Sequence, residues 1–464
     1  MALVTLYPYS FSFPADSTTV GFPFVGWGKS DDLDVFVNTL LFVPLGASLA
    51  SIFTARAVPG RLVLMLIVAV SAGGSYGVEV LQVFLTHRFP SLCDVLANSF
   101  GAVVGFTCFH LWRLRNVWLT LAVYLILGVL ATVLLQRSTR LSNWDATFPL
   151  LVGNEKTANR PWQGYVSHIY VADRALTDAE VARIDSVEHN LRRSLADSLL
   201  AWYDLPGNAE RYPDETGHLP DLRWRYQRTA EQRIIRPFLG PHRWLETMGS
   251  VAPLIEKLRA TSQFTLGVTV ATSVPEQIGP ARIVSLSIDP HRRNFTLGQQ
   301  RQNLVFRLRT PISGSGKAEL RAPGVFATAL PQRVTVTYDG AVLQLYVNGV
   351  RTPAILEFGP GSALCSLFVD APVLGTKVCK VIYYAGFCIP FGVLLVLAVQ
   401  PCRPVLRRQL LVMGGGVIGV AFGLEWLLVS VSHKRFSYDN ILISLVFTSG
   451  TVATGWLYRT LLKR

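Results

Sequence analysis

Hydrophobic and polar positions divide the chain into three parts. A helix needs about 20 mostly apolar residues to cross a hydrocarbon core. Such runs occur at roughly 35–54, 61–85, 92–112 and 117–135, and again at roughly 380–400, 409–431 and 440–460, which predicts seven spanning helices. Between the two groups the pattern changes to short alternating runs bounded by turn residues, the signature of half-buried strands. The clearest is RVTVTYDGAVLQLYVNGV at 333–350, where two alternating runs flank Asp339-Gly340 and Asn348-Gly349 supplies the next turn. FTLGVTVATSV (264–274) and ARIVSLSIDPHRRNFTLGQ (281–299) predict further strands. Many short strands at this spacing imply a β-sandwich or jelly roll. The expected organisation is a four-span transmembrane domain over 1–136, an all-β domain over 143–375 and a three-span domain over 380–464.

Composition supports a membrane protein. Half of the 464 residues are apolar and 16% are charged, against about a quarter charged in soluble domains. The deficit falls at the two ends. The formal net charge of +13 points first to nucleic acid, but no basic stripe interleaved with aromatics occurs, so a nucleic-acid partner is not expected. The basic residues instead mark alternate links: Arg56 and Arg61, Arg113 and Arg115, Arg403 with Arg407 and Arg408, then Arg459, Lys463 and Arg464. By the positive-inside rule these links are cytoplasmic. The N-terminus, the 87–91 loop, the 143–375 region and the 433–438 loop are then extracytoplasmic, and the C-terminus is inside. The expected location is a bacterial cytoplasmic membrane, with the lipid bilayer as the first partner. The opening MALVTLYPYSFSFP lacks a basic n-region and a cleavage site, so no signal peptide is expected. The six cysteines show no metal-binding spacing, and pairing of Cys365 with Cys379 is left open.

The segment GVEVLQVFLTHRFPSLCDVLANSFGAVVG (77–105) places Glu79, Gln82, His87, Arg88, Asp94 and Asn98 within apolar surroundings. Ionisable groups in a bilayer turn to the protein interior or a watery cavity. Glu79 and Gln82 share one helix face, Asp94 and Asn98 share a face of the next helix, and His87 and Arg88 lie in the turn between them. A helical hairpin therefore brings the six toward one end. Gly101 and Gly105 have the small-xxx-small spacing of close helix packing. Three readings follow: a polar clasp in which Arg88 pairs with Asp94 or Glu79, a binding or catalytic pocket for a polar headgroup, or interfacial anchoring. A second copy, GLEWLLVSVSHKRFSYDNILISLVFTSGTVATG at 423–455, matches Glu79 with Glu425 and His87 with His433. Arg88 and Phe89 match Arg435 and Phe436 with a one-residue slip, and Asp94 is matched with Asp439. The copy has Leu428 in place of Gln82, no clear partner for Asn98, and Gly450 and Gly455 for the two glycines.

The pattern Glu79-x-x-Gln82, Arg88, Asp94-x-x-x-Asn98-x-x-Gly101, with Asn38-x-Leu-Leu-Phe-x-Pro44-Leu-Gly46 and Leu-Tyr-Pro-Tyr at 6–9, resembles the VanZ-like membrane family over about residues 1–135. A weaker echo lies at 409–460. By this resemblance the extra N-terminal span of many relatives is not expected. The family is named for an accessory protein of glycopeptide-antibiotic resistance, and the resemblance implies no general biochemical activity.

The middle region resembles the laminin-G/concanavalin A-like lectins. VTYDGAVLQLYVNGV matches their typical hairpin and LLAWYDLPGNAERYPDETG (199–217) their opening strand. LLVGNEKTANRPWQGYVSHIYVADRALTDAEV (150–181), with Trp162, Gly164 and a short helix at Thr177–Ile184, matches their closing segment. Closing precedes opening, which implies a circular permutation. The resemblance further implies binding of a glycan, an envelope polymer or a protein, with calcium as the one cofactor to consider. Asp289, Asp339 and Asn348 are candidate ligand residues, against the reading that they simply make turns. No strand carries the paired carboxylates of a glycosidase, so hydrolysis is not expected. Asn294-Phe-Thr296 forms a glycosylation sequon. The leading function is a membrane-anchored lectin-like binding protein. The alternatives are a membrane enzyme or transporter acting on a lipid-linked or envelope substrate at the polar cluster, and a membrane part that only holds the sandwich.

Overall fold

The computed structural model describes residues 32–56, 58–82, 91–113, 117–184, 195, 197–207, 209–226, 238–313, 318–368, 376–399, 406–432 and 434–462. Helices in chain order are α1 (Asp32–Ala55), α2 (Gly60–Gln82), α3 (Leu92–Arg113), α4 (Val117–Arg137), α5 (Asp178–Ile184), α6 (Ala252–Thr261), α7 (Pro360–Phe368), α8 (Thr376–Val399), α9 (Leu406–Ser432) and α10 (Tyr438–Leu462). Two compact units result: Met1–Leu135 with Tyr384–Leu424 and Tyr438–Arg464, and Gln136–Tyr383 with Glu425–Ser437.

Seven helices among the described residues, α1–α4 and α8–α10, are long and apolar enough to cross a membrane. The protein is a multi-pass membrane protein. Met65, Ile126, Leu411 and Trp426 are 69%, 67%, 68% and 70% exposed, the lipid-facing side of helices apolar all round. In the helical unit α1 and α3 cross backbone to backbone. A Cβ on Gly101 would sit 2.0 Å from the Thr39 carbonyl oxygen, one on Gly105 2.0 Å from that of Val43, and one on Gly46 1.9 Å from that of Ala102. Without a water-driven hydrophobic effect, such close approach is what holds helices together in lipid. Phe42, Ala50, Val63, Ile67 and Ala102 pack around this crossing. A second apolar cluster joins Leu121 of α4 to Phe391 and Leu395 of α8, Met413 of α9 and Val452 of α10.

The other unit is an antiparallel β-sandwich. Its strands are β1 (Leu150–Val152), β2 (Gly164–Ala172), β3 (Leu199–Asp204), β4 (Arg211–Tyr212), β5 (Leu222–Tyr226), β6 (Phe238–Leu239), β7 (Arg243–Thr247), β8 (Phe264–Thr272), β9 (Ala281–Ser287), β10 (Arg293–Gln300), β11 (Asn303–Leu308), β12 (Glu319–Ala322), β13 (Gln332–Tyr338), β14 (Val342–Val347) and β15 (Val350–Glu357). One sheet runs β12-β11-β10-β9-β1-β7-β5-β4, the other β15-β14-β13-β8-β2-β3 with β6 on β2. Alternate residues turn inward. Phe264 and Tyr338 of one sheet meet Phe295 and Phe306 of the other, with Phe264 5.9–6.3 Å from each of the other three ring centroids, within the range of favourable aromatic pairs.

Local chemistry explains the turns. The Asp339 carboxylate accepts from the Ala341 and Val342 N–H groups at 3.0 and 2.7 Å, and Gly340 takes φ +89°, a region costly for other residues. Asn348 and Gly349, at φ +51° and +77°, turn β14 into β15. Thr177 and Glu180 form a reciprocal capping box that starts α5: the Thr177 N–H donates to the Glu180 carboxylate at 2.7 Å and the Glu180 N–H to the Thr177 hydroxyl at 3.2 Å. Trp162 is fully buried and donates to Gln299 at 2.8 Å. Gly164 beside it is glycine because a Cβ would lie 2.5 Å from both the Ala271 oxygen and the Trp162 ring.

Candidate functional site

The buried stripe of α2 changes character along its length: Val63 and Ile67, then Ser71, Ser75, Glu79 and Gln82. The near-constant step of four keeps all six on one face. Glu79, Gln82 and Asn98 are 2%, 7% and 4% exposed. The Asn98 side-chain amide on α3 donates to the Ser75 hydroxyl at 2.7 Å. The Glu79 carboxylate accepts from the Ser91 backbone N–H at 2.9 Å. Ser91 precedes α3 and its own hydroxyl accepts from the Cys93 N–H at 3.2 Å, so Glu79 sits at the electropositive start of a helix. The Asn98 Oδ1 is buried with no hydrogen-bond partner among the described residues. Asp94 is half-buried in the first turn of α3. His87, Arg88 and His433 lie outside the described residues. Two cross-hairpin links, Glu79 to Ser91 and Asn98 to Ser75, thus fasten α2 to α3.

The C-terminal helices repeat this device in their own way. Glu425 of α9 accepts from the Ser437 N–H at 2.6 Å, across the same twelve-residue separation as Glu79 and Ser91. One interval relates Glu79 to Glu425 and Ser91 to Ser437, and also Pro44 and Gly46 inside α1 to Pro390 and Gly392 inside α8. The repeat therefore spans three helices and runs without a slip. By that interval Lys434 rather than Arg435 aligns in sequence with Arg88, Asn440 rather than Asp439 with Asp94, and Ser444 with Asn98. The buried Lys434 ammonium pairs directly with Glu425. Arg435 donates to the Ala175 carbonyl at 3.1 Å, and Asp439 is exposed. The Ser432 carbonyl oxygen would lie 2.5 Å from a Cβ on Gly340, so Asp339-Gly340 requires glycine for its neighbour as well as for its φ. The tip of this second hairpin is built into the sandwich unit.

In the sandwich the three candidate ligand residues lie in three separate turns, each with its side chain engaged locally. Asp289 accepts from the His291 and Arg292 N–H groups and pairs with Arg292 at 2.7 Å. These contacts, that with the Arg292 side chain first, hold its carboxyl down at about 2. Asp339 caps its own turn, as described above. Asn348 accepts from the Arg333 N–H at 2.9 Å and donates to Gln332 at 2.8 Å. Among the described residues no group of three or more His, Cys, Asp or Glu is placed to hold a metal. Asn294, of the sequon, is fully buried and exchanges two 2.8 Å hydrogen bonds with the Asp145 backbone, so its amide is no glycosylation acceptor in the fold. Cys365 and Cys379 are not joined by a disulfide. Burial, then the hydrogen bond with Cys379, pushes the Cys365 thiol up to about 12.

Ser75, Ser91, Lys434 and Ser437 carry the site and were not singled out from sequence. The equal Glu-to-Ser spacing in both halves and the two Pro-x-Gly steps are the signals that could have found them.

The helices and strands together define a multi-pass membrane protein that combines a polar-clasped helical hairpin with an antiparallel β-sandwich. Residues 2–113 match the family model described as VanZ/LLP1, a VanZ-like segment that covers α1, α2, α3 and the Glu79–Asn98 cluster. No curated protein and no solved structure matches the chain.

Proposed function

We propose that the protein displays its β-sandwich, over about 143–375, on the outer side of a bacterial cytoplasmic membrane, where the sandwich binds a glycan or another envelope or extracellular polymer. The observation that carries this is the sandwich's place in the chain, between the fourth and fifth of seven potential spans. If each span crosses once, Arg56, Arg61, Arg407 and Arg408 fall on one side and the sandwich on the other, as the positive-inside rule favours. The helical domains, 1–136 and 380–464, act as its membrane mount. Sheet order supports a permuted concanavalin-like jelly roll: β1 and β2, which come first in the chain, take interior places between β9 and β7 and between β8 and β3. Glu79 and Asn98 already spend hydrogen bonds on fastening a hairpin, which favours a binding protein over a membrane enzyme. The full-length protein in nanodiscs should be retained by at least one polymer in a panel of soluble polysaccharides and isolated cell-wall material. Retention by none, with and without calcium, refutes the reading.

One observation favours a second reading, a membrane enzyme or transporter for a lipid-linked or envelope substrate. The buried Asn98 Oδ1 meets no donor among the described residues, and a substrate hydroxyl or amide would supply one.

A further inference from the structure

The outer face of the eight-stranded sheet carries an unusual set of side chains. One register row places Ser285, Thr296, Arg307 and Glu319 side by side across β9, β10, β11 and β12. Ser287 pairs with Arg293, and Arg282 with Gly298. The adjacent row Val284, Leu297, Phe306 and Leu320 fills the core, so the polar row and its neighbours all face away from it. The loop after β1 lies over this face: the Arg282 N–H donates to the Arg160 carbonyl at 3.0 Å and the Ser285 hydroxyl to the Asn154 carbonyl at 3.3 Å.

Charge on this face does not balance. Glu155 pairs with Arg282 at 3.2 Å. Glu319 is shared by Arg307 and Arg321 at 2.7 and 2.8 Å. Arg160 and Arg293 have no carboxylate partner among the described residues, and the Arg160 Nε is a buried donor with no acceptor. Five guanidiniums thus meet two carboxylates. Arg293 is the most demanding of them. It is 5% exposed, and one of its nitrogens donates to the Pro290 carbonyl. A guanidinium has five N–H donors in a planar fork, and among the described residues this is the one side-chain hydrogen bond of Arg293. Burial first, then Arg307 and Arg282 beside it, pushes Arg293 down to about 10, against the opposing pull of Glu155 and Glu319. A buried charge without a direct ion-pair partner destabilises a fold, and a group so perturbed beside an open approach is a candidate for ligand binding. Arg307 and Arg321, with side chains 22% and 48% exposed, leave the approach across β11 and β12 open.

We infer that this face binds an oxyanion of an acidic polymer, held by the fork of Arg293 with Arg307 beside it. A planar fork suits carboxylate and phosphate oxygens in paired hydrogen bonds. The inference rests on the polymer-binding reading above and specifies its chemistry. A uronic-acid carboxylate and a phosphodiester present the same oxygens, and the test separates them.

The full-length protein in nanodiscs is titrated with polygalacturonate, poly(glycerol phosphate) and neutral dextran, as wild type, Arg293→Gln, Arg293→Lys and a charge-matched control, Arg351→Gln, on the other sheet. Expected is tight binding of one or both acidic polymers, weakened at least about tenfold in R293Q, severalfold in R293K, which keeps the charge but not the fork, and less than about twofold in R351Q. The preferred acidic polymer tells carboxylate from phosphodiester. R293Q should melt no lower than wild type, because it removes an unpaired charge. Equal weakening in R293Q and R351Q reduces the effect to overall charge and overturns the inference. Binding of dextran alone, unchanged in R293Q, also overturns it but leaves polymer binding standing. Binding of nothing removes both. If R293Q does not fold, wild-type affinity in R293K is the contradicting result.

Discussion

Glu155→Gln should be among the most damaging single changes in the sandwich. Glu155 and Arg282 have side chains 0% and 1% exposed and meet at 3.2 Å. At an effective dielectric of 20, two unit charges at that distance attract by roughly 5 kcal/mol. Burial nonetheless pushes Glu155 up despite Arg282, and Arg282 down despite Glu155, so desolvation outweighs the attraction on both sides. The pair is then no net stabiliser, yet breaking it leaves Arg282 charged and sealed in, at a cost of about 3–5 kcal/mol. For a domain of this size each kcal/mol shifts the melting temperature by about 2–4 °C. Scanning fluorimetry of the sandwich tryptophans, on full-length protein in detergent, should show E155Q melting roughly 6–20 °C below wild type. The double variant Glu155→Leu with Arg282→Met should return to within a few degrees of wild type, or above it. If E155Q melts like wild type, or the double variant loses the sum of both singles, Arg282 does not depend on Glu155.

Three further outcomes follow from named contacts. Gly105→Val places a Cβ 2.0 Å from the Val43 oxygen, which forces α1 from α3 and should sharply cut monodisperse yield in detergent, whereas Gly386→Val, with nothing within 4 Å, should not. Lys434→Met strands the buried Glu425 carboxylate and should lower thermal stability, with Lys434→Met plus Glu425→Leu recovering most of the loss; strict additivity of the singles would show that the two do not act as a pair. Asp289 is held at about 2, chiefly by the Arg292 side chain, below its unfolded value of about 3.9, so its contribution is present above pH ~4 and lost as pH falls toward 2; Asp289→Asn should flatten that limb of the melting profile.

The helices were legible because a bilayer demands run length, a local property of the sequence. The β13–β14 and β14–β15 hairpins were legible because Asp339-Gly340 and Asn348-Gly349 supply the positive φ that such turns need. The short helix over Thr177–Ile184 was expected from the resemblance alone, and the Thr177–Glu180 capping box is its local cause. The places of β1 and β2 were not legible, since β1 pairs with β9 and β7 and β2 with β8, partners far along the chain that no local pattern encodes. The inward turn of Glu79 and Asn98 followed from the cost of polar groups in lipid. Their partners did not, because Ser75 and Ser91 are small residues that a bilayer also tolerates. In the second copy residue type favours Arg435 for Arg88 and Asp439 for Asp94, although the constant interval aligns Lys434 and Asn440 with them. The polar residues of β9 and β10, Arg282, Ser285, Ser287 and Arg293, look like a solvated face; only the loop folded over them reveals their burial.

Side-directed labelling of single introduced cysteines tests most directly whether the sandwich faces outward. Leu330→Cys lies on the sandwich at a position 66% exposed, and Arg56→Cys at the α1–α2 link, also exposed; the unsubstituted protein sets the background of its own thiols. In intact cells a membrane-impermeant maleimide should label L330C at once and R56C only after permeabilisation. Labelling of R56C with protection of L330C would place the sandwich in the cytoplasm and contradict its role as an outward-facing binding domain.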